Sequence, residues 1–330
     1  MIRQAVAVAH PNVALSKYWG KRAGEDHVPA VPSLSVTLSG LTTRTRLRWD
    51  SDLRDHRFIL DGVARERGEA PKVFAFLDAV GRSQGVNAFA DVESRNDFPT
   101  ASGLASSASG FAALALAGVR ASGCDWDAAR VADLARHGSA SAARSLFGGF
   151  VELDGAVARQ VAPADHLPLV VLVCITTEAP KAVSSSEGMR ATLERSPYAQ
   201  AWLDEAPRIH ARLREALLER DFDRLGELAE TSALAMHASA LAAGIVYWNG
   251  ATIDALAAVQ SLRAAGTLAY ATIDAGPHVK VLVRPADAAR ALDVMKSVRG
   301  VVRVLEARPG SGAALEHERA DLPGGEGAPR

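Results

Sequence analysis

A run of small and hydroxyl-bearing residues at 99–110 (PTASGLASSASG) lies between a predicted strand and a predicted helix. Small residues let the backbone approach a ligand closely, and a helix N-terminus presents unpaired N–H groups and a positive dipole to an anion. The hydroxyls of Ser106 and Ser107 could bind phosphate oxygens or a magnesium ion. The run contains neither GxxxxGK[ST] nor GxGxxG. Taken alone, it favours a phosphate-binding loop and a flexible loop before an Ala-rich packing helix equally.

Residues 10–21 (HPNVALSKYWGK) place two lysines four positions apart. Lys17 and Lys21 would share a face if this turn were helical, with Tyr18 and Trp19 between them. Because lysines are mostly exposed, an ordinary basic turn with aromatic rings packed beneath it is one interpretation. The density of polar, aromatic and basic residues favours a charged ligand instead.

Residues 138–149 (GSASAARSLFGG) carry a single charge, that of Arg144, in a run of small and apolar residues. Ser139 and Ser141 present hydroxyls beside it. An arginine in this setting either pairs with a buried acidic group or clamps a carboxylate or phosphate with its planar fork.

Two segments nearer the C-terminus add polar groups. In residues 272–278 (TIDAGPH), Asp274 ends a predicted strand before a Gly-Pro turn, so it either caps the turn or directs a carboxylate into a cleft. Residues 183–189 (VSSSEGM) taken alone favour a linker, and otherwise form a hydroxyl-rich ligand edge.

The elements that must position these residues follow from periodicity and turn signals. Strands are predicted over 4–9, 33–38, 43–49, 57–60, 89–94, 150–153, 169–176, 268–273, 279–283 and 301–306. Helices are predicted over 71–84, 104–121, 126–137, 197–219, 222–243, 249–265 and 286–298. The pattern indicates an α+β protein with a β-rich lobe over 1–183, a helix-rich lobe over 184–308 and a disordered tail over 309–330, where Gly, Pro and charge dominate.

Composition narrows the function classes. The 330 residues are 48% hydrophobic and 23% charged, as in a globular protein, and the 37 basic and 38 acidic residues nearly cancel. No global field would attract nucleic acid or a membrane surface, so an anionic ligand must be held by local groups. Cys124 and Cys174 form no disulfide framework or zinc motif. No apolar run is long enough for a signal segment or a membrane span, and we expect a cytoplasmic protein.

Five ordered segments together resemble the motifs of the mevalonate diphosphate decarboxylases, a family of the GHMP kinase superfamily. They are NVALSKYWGKR, NDFPTASGLASSASGFAAL, GSASAARSLFGGFVE, VSSSEGM and TIDAGPHVKV, and the resemblance spans about residues 5–285. It implies a GHMP-kinase-like two-lobe fold, with an N-terminal ribosomal-S5-like lobe, a C-terminal ferredoxin-like lobe and a cleft between them.

The resemblance also implies a reaction. ATP, with Mg²⁺, phosphorylates the tertiary hydroxyl of mevalonate 5-diphosphate, and loss of that phosphate together with carbon dioxide leaves isopentenyl diphosphate. Relatives are commonly homodimers, so a homodimer is expected here.

By the same resemblance, individual residues receive roles. Asp274 lies by the tertiary hydroxyl as base or electrostatic orienter, Arg144 holds the substrate carboxylate, and Lys17 lies near the transferring group. The residues expected at the diphosphate are Tyr18, Lys21, Ser139, Ser141 and Ser185. Those expected at the ATP phosphates are Ser102, Gly103, Leu104, Ala105, Ser106 and Ser107. Ser106 and Ser107 are also expected to contact the magnesium ion that the ATP phosphates hold.

The chain departs from the family pattern at several positions. Residues 31–33 read Val-Pro-Ser where Asn-Ser-Ser is frequent, Ala140 and Ala143 replace Gly and Cys, and His278 replaces Asn. These differences leave the exact substrate open, and the alternatives are a mevalonate monophosphate decarboxylase or a mevalonate-type kinase. A non-catalytic phosphometabolite-binding protein is disfavoured because Asp274, Arg144 and Lys17 are all present.

Overall fold

The computed structural model describes residues 4–22, 24, 28–98, 106–179 and 181–316. The predicted phosphate-binding residues Ser102, Gly103, Leu104 and Ala105 lie outside these ranges. Within them, no helix is both long and apolar enough to cross a membrane.

The described chain alternates between strands and helices. The strands are β1 (Gln4–Ala9), β2 (Asn12–Ser16), β3 (Ser33–Ser39), β4 (Thr43–Asp50), β5 (Arg57–Leu60), β6 (Val63–Arg65), β7 (Phe89–Asn96), β8 (Phe150–Asp154), β9 (Val157–Ala162), β10 (Val170–Ile175), β11 (Ala269–Ile273), β12 (Val279–Val283), β13 (Arg303–Pro309) and β14 (Ala314–Leu315). The helices are α1 (Pro71–Gln84), α2 (Ser106–Ala121), α3 (Ala128–Gly138), α4 (Ala142–Ser145), α5 (Ser185–Arg195), α6 (Ala199–Leu218), α7 (Phe222–Ala242), α8 (Gly250–Ala264) and α9 (Ala288–Ser297).

The first sheet has six strands in the order β14-β1-β4-β7-β5-β6. Side chains alternate along β4, so that Leu47 and Trp49 are buried while Arg44, Arg46 and Arg48 are more exposed. The buried face packs against α1 and the alanine-rich α2 in one core. Gly118 of α2 allows this close approach, because a Cβ there would lie 2.9 Å from Val80 Cγ1. This packing fixes the N-terminus of α2 at one end of the sheet.

The second sheet has the order β11-β12-β10-β13-β3-β8-β9, with β2 paired to β3. Its interior strand β10 is buried on both faces. Val171 and Val173 contribute to a core shared with α6 and α7, whereas Leu172 and Cys174 contribute to a core shared with α8 and α9. Covering both faces explains why β10 is a continuous apolar run.

The strand pairing of the described residues departs from the predicted division of the chain in two places. The boundary after residue 183 assigns β10 to the first lobe, but β10 pairs with β12 and β13 of the predicted second lobe. The predicted disordered tail begins too early, because residues 309–316 complete β13 and form β14, which pairs with β1. The glycines there serve close packing: a Cβ on Gly148 would lie 2.7 Å from the backbone nitrogen of Gly312. Residues 317–330 lie outside the described ranges.

Candidate active site

A cavity of about 490 Å³ collects residues from every motif that the sequence singled out. Most of its described lining comes from β2 and the residues after it, the start of α2, the segment from α3 to α4, the start of α5 and the residues after β11. Lys72 of α1 and Met236 of α7 complete it. The predicted site residues among this lining are Lys17, Tyr18, Lys21, Ser106, Ser107, Ser139, Ser141, Arg144, Ser185 and Asp274. Residues of both predicted lobes therefore face one space.

Asp274 and two lysines form the charged centre of the cavity wall. Lys17 Nζ donates to Asp274 Oδ1 at 2.8 Å, and Lys280 Nζ lies 3.1 Å from Oδ2. Both lysine side chains are 2% exposed, while that of Asp274 is 26% exposed at the cavity. Burial alone would raise the pKa of Asp274, but the two lysines outweigh burial and hold it well below its usual range. Asp274 is therefore an ionised group that a ligand can reach.

Lys17 is held in place by backbone and side-chain contacts. Its Nζ also donates to the carbonyl of Ala14 at 2.9 Å, and its backbone N–H donates to Ser232 Oγ at 3.0 Å. Burial lowers the pKa of Lys17 to about 8, and this effect exceeds the opposing attraction of Asp274. Residues 17–20 are not helical, so the condition under which Lys17 and Lys21 would share a helical face is not met. Lys21 reaches the cavity from a bridge to Pro29, with its Nζ 3.4 Å from Ser186 Oγ.

Arg144 lies in the short helix α4 and is 3% exposed. Its Nε and Nη2 donate to Asn12 Oδ1 at 3.2 and 3.1 Å, and its Nη1 donates to Ser33 Oγ at 2.7 Å. These neutral partners use three of the five guanidinium donors. Burial lowers the pKa of Arg144 to about 10, which still leaves it charged at neutral pH. Since its described hydrogen bonds go to no carboxylate, the arrangement favours the clamp interpretation over a buried ion pair.

Neutral hydroxyls lie beside these charges. Ser139 Oγ and Ser141 Oγ are 3.0 Å apart. The hydroxyl of Tyr18 is buried and has no hydrogen-bond partner among the described residues. Burial raises the pKa of Tyr18 to about 12, so it remains a neutral donor. An unpartnered buried hydroxyl beside a cavity is expected where a ligand supplies the acceptor.

The linker interpretation of 183–189, which the segment favours when taken alone, is wrong, because α5 begins at Ser185. Ser184 caps the helix and Glu187 completes a capping box, which satisfies two backbone N–H groups at the helix start. The Tyr247 hydroxyl donates to the carbonyl of Ser184 at 3.1 Å. Lys181 Nζ donates to Ser185 Oγ at 3.1 Å, which places a further cation at this wall. The helix start thus presents hydroxyls and a positive dipole to the cavity.

The charges around the cavity are strongly unbalanced. Its described lining includes the cations Lys17, Lys21, Lys72, Arg144 and Lys181 but one carboxylate, that of Asp274. Since the whole chain has a net charge of −1, this positive field is local. No role was predicted for Lys72, Lys181 or Lys280, although Lys280 lies within the segment TIDAGPHVKV. A lysine flanked by valines, as in Val279-Lys280-Val281, could have signalled a buried charge in a strand.

A second cavity, of about 390 Å³, adjoins the first at the N-terminus of α2. Both are lined by Ser106 and Ser107, and the second has apolar walls that include Phe58, Leu60 and Val73. Among the described residues, no group of three or more His, Cys, Asp or Glu side chains could hold a metal ion. A divalent cation here would depend on ligand phosphates and on the Ser106 and Ser107 hydroxyls.

Comparison with known proteins identifies the family. Residues 9–161 match the diphosphomevalonate decarboxylase-like N-terminal domain, and residues 171–312 match the mevalonate 5-diphosphate decarboxylase C-terminal domain. The chain belongs to the diphosphomevalonate decarboxylase family. The predicted family is thereby confirmed.

Individual relatives agree with this assignment. The human diphosphomevalonate decarboxylase is 35% identical over 300 residues, which cover 82% of this chain and 74% of the human protein. A phosphomevalonate decarboxylase from Haloferax volcanii is 34% identical over 268 residues, which cover 79% of this chain and 82% of that protein.

A solved structure matches the whole fold. The structure of MDDEF in complex with MVAPP, AMPPCP and magnesium has a TM-score of 0.88 at 38% identity, over 96% of this chain and 99% of that one. The predicted α+β fold of the GHMP kinase superfamily is confirmed.

Proposed function

We propose that the chain catalyses the ATP-dependent decarboxylation of mevalonate 5-diphosphate to isopentenyl diphosphate, ADP, phosphate and carbon dioxide. The observation that carries this proposal is the cavity whose described lining has five cations and one ionised carboxylate. The ligand that fits this pattern has several negative charges and one group that can donate a hydrogen bond to a carboxylate. Mevalonate diphosphate has a diphosphate, a carboxylate and a tertiary hydroxyl.

The proposed pose assigns each substrate group to matching chemistry. The diphosphate binds Lys21, Ser139, Ser141, Tyr18 and the start of α5 at Ser185, where hydroxyls and cations are available. The substrate carboxylate takes the two remaining donors of Arg144. The tertiary hydroxyl then faces Asp274. Asn12 and Ser33 support this pose because they fix the Arg144 fork without neutralising it.

ATP is proposed to bind across the N-terminus of α2. Its phosphates lie at Ser106 and Ser107, between the two cavities, and its nucleoside occupies the apolar second cavity. The residues present fit Mg²⁺ only together with those phosphates, since the described chain offers no acidic cluster. When bound, Mg²⁺ supplies charge neutralisation at the transferring phosphoryl group.

The chain's own residues then act mainly through position and charge. Asp274 accepts a hydrogen bond from the tertiary hydroxyl and orients its oxygen toward the γ-phosphorus, while Lys17 stabilises the transferring phosphoryl group. A carboxylate held by two lysines is a weak proton acceptor, so we assign Asp274 an orienting role, and the proton leaves on the phosphate.

Decarboxylation follows in the same cavity. The C–O bond to the phosphate and the C–C bond to the carboxylate break, and the electron pair of the C–C bond forms the double bond. Asp274 stabilises positive charge that develops at the tertiary carbon, and Arg144 keeps the carboxylate aligned for departure.

A second candidate is the decarboxylation of mevalonate monophosphate, which the similarity to the Haloferax protein favours. The number of cations beyond Arg144 and Lys17 supports the longer, more highly charged substrate, because Lys21, Lys72 and Lys181 all line the cavity.

An assay separates these candidates. The enzyme, ATP and Mg²⁺ are supplied with mevalonate diphosphate, mevalonate monophosphate or mevalonate, and ADP and carbon dioxide are measured separately. We expect equal release of both from the diphosphate alone. ADP without carbon dioxide would indicate a kinase, and turnover of only the monophosphate would support the second candidate.

We also propose that the chain forms a homodimer through the outer face of α7. Leu234 and Leu241, two turns apart, are 39% and 38% exposed, and residues 231–253 contain no Asp, Glu, Lys or Arg. Sedimentation of Leu234→Lys/Leu241→Lys should give a monomer, whereas an unchanged dimer would exclude this face.

A cytoplasmic location is proposed as well, which the unpaired Cys124 and Cys174 support.

A further inference from the structure

Lys280 is a buried lysine of β12 that reaches the active site indirectly. It is 1% exposed, and its Nζ lies 3.1 Å from Asp274 Oδ2. Lys17 and Asp274 line the cavity, but Lys280 is absent from its described lining. A substrate in the cavity would therefore meet Asp274 and Lys17 directly and Lys280 only through Asp274.

The hairpin formed by β11 and β12 places these groups together. Thr272 pairs with Lys280 across the two strands, and Asp274 follows Thr272 by two residues, which is the spacing of side chains on one face of a strand. Thr272 Oγ1 donates to the carbonyl of Ala14 at 3.2 Å, the same carbonyl that accepts from Lys17 Nζ. Lys17 thus approaches the carboxylate from the end of β2 and Lys280 from β12, and both strands are bonded to β11.

We propose that Lys280 is a positioning residue, which together with Lys17 holds both carboxylate oxygens of Asp274 and fixes the carboxylate toward the reacting hydroxyl. This inference rests on the proposed function, in which Asp274 faces that hydroxyl. The terminal torsion of an aspartate is broad, so a carboxylate with one partner can rotate. A second cation on the other oxygen removes that freedom and keeps the reacting groups aligned.

The positive charge of Lys280 also contributes to the electrostatic potential at Lys17. The charged or titratable groups around the Lys17–Asp274 pair are Lys280 of β12, Arg144 of α4, Lys181 before α5 and His237 of α7. His237 Nε2 lies 3.1 Å from the Asp274 carbonyl, and burial lowers its pKa to about 4, so it is neutral near pH 7. The repulsion from Lys280 and Arg144 adds to burial in lowering the pKa of Lys17.

The test compares Lys280→Met with Lys296→Met, a matched change at an exposed lysine of α9. We expect kcat for mevalonate diphosphate to fall about tenfold or more in Lys280→Met, with KM for both substrates within about twofold of wild type. Because Lys280→Met removes a positive charge near Lys17, the pKa of Lys17 should rise. The decline of kcat/KM at basic pH should then move to higher pH by roughly half a unit. A lysine with only a structural role would not move that limb.

A second variant keeps the inference testable if Lys280→Met folds poorly. Lys280→Arg retains the charge, so its basic limb should stay at the wild-type pH even where kcat is reduced. A wild-type kcat and pH profile in Lys280→Met, or the same limb shift in both variants, would overturn the inference. Absence of carbon dioxide release by the wild-type enzyme would instead refute the proposed function.

Discussion

The buried Glu152 offers a quantitative test of how β2 is held beside the active site. Glu152 Oε1 lies 2.9 Å from His210 Nε2, and His210 Nδ1 lies 2.9 Å from Ser16 Oγ. Ser16 Oγ also accepts from the backbone N–H of Leu34 at 2.7 Å, and Ser16 directly precedes Lys17. A change at Glu152 should therefore alter stability and, through β2, the active site.

The magnitude follows from the pKa of Glu152. The hydrogen bond from His210 is the largest cause that lowers this pKa from 4.5 to about 2, and Arg159 adds to it against the effect of burial. A depressed carboxyl pKa stabilises the folded state above pH 4.5, and this contribution is lost as the pH falls toward 2. The shift corresponds to about 3 kcal/mol at neutral pH, of which about 2 kcal/mol disappears between pH 6 and pH 3.

Urea unfolding of wild type and Glu152→Gln at several pH values measures this difference. The gap in free energy of unfolding should narrow by about 2 kcal/mol from pH 6 to pH 3. Glu306→Gln is the control, because its ion pair with Arg308 is exposed and contributes little. Parallel stability curves for wild type and Glu152→Gln would refute the reasoning.

Three further predictions concern catalysis directly. Arg144→Lys keeps the positive charge but loses the planar fork, so carbon dioxide release should fall about 100-fold. The Kd for ATP, measured by calorimetry, should stay unchanged. Weakened ATP binding would argue against the substrate carboxylate as the ligand of Arg144. Because burial lowers the pKa of Lys17 to about 8 and the protonated form is required, kcat/KM should decline as the pH rises through about 8, and a flat profile to pH 10 would contradict this. In Gly188→Ala the new Cβ would overlap the Tyr247 hydroxyl, so the start of α5 should shift and KM for mevalonate diphosphate should rise. Gly188→Ala/Tyr247→Phe should recover the lower KM, since the nearest remaining atoms lie 3.1 Å away, and no recovery would contradict the packing explanation.

The sequence predicted those elements whose signals are local. The helix over 71–84 begins and ends as predicted, because Pro71 at its first turn and Gly85 after its last mark both ends. The segment 183–189 contains the Ser-x-x-Glu spacing of a capping box, which is a local signal for a helix start. Its three serines, taken alone, favour a linker, and this composition masks that signal.

Non-local pairing limited the rest of the prediction. The apolar run of β10 does not indicate which strands flank it, because any neighbouring strand can pair with its backbone N–H and C=O groups. Composition alone suggests disorder for the glycines near residue 310, because it does not reveal that Gly312 packs against Gly148 or that the Gly149 N–H donates to the Gly310 carbonyl.

The site shows the same limit. Its motifs indicated which segments carry ligand-binding residues, and the described segments do meet in one cavity. The role of Lys280 depends on a strand register that no motif encodes, since its pairing with Thr272 brings its ammonium to the Asp274 carboxylate.

The most direct test of the central claim measures ADP and carbon dioxide from mevalonate diphosphate in one reaction, for wild type and Asp274→Asn. Asp293→Asn, at an exposed position of α9, is the matched control. We predict that wild type and the control release both products equally, and that Asp274→Asn still binds ATP but loses both products together. Near wild-type release of either product by Asp274→Asn would contradict the assignment of this carboxylate to the reaction centre.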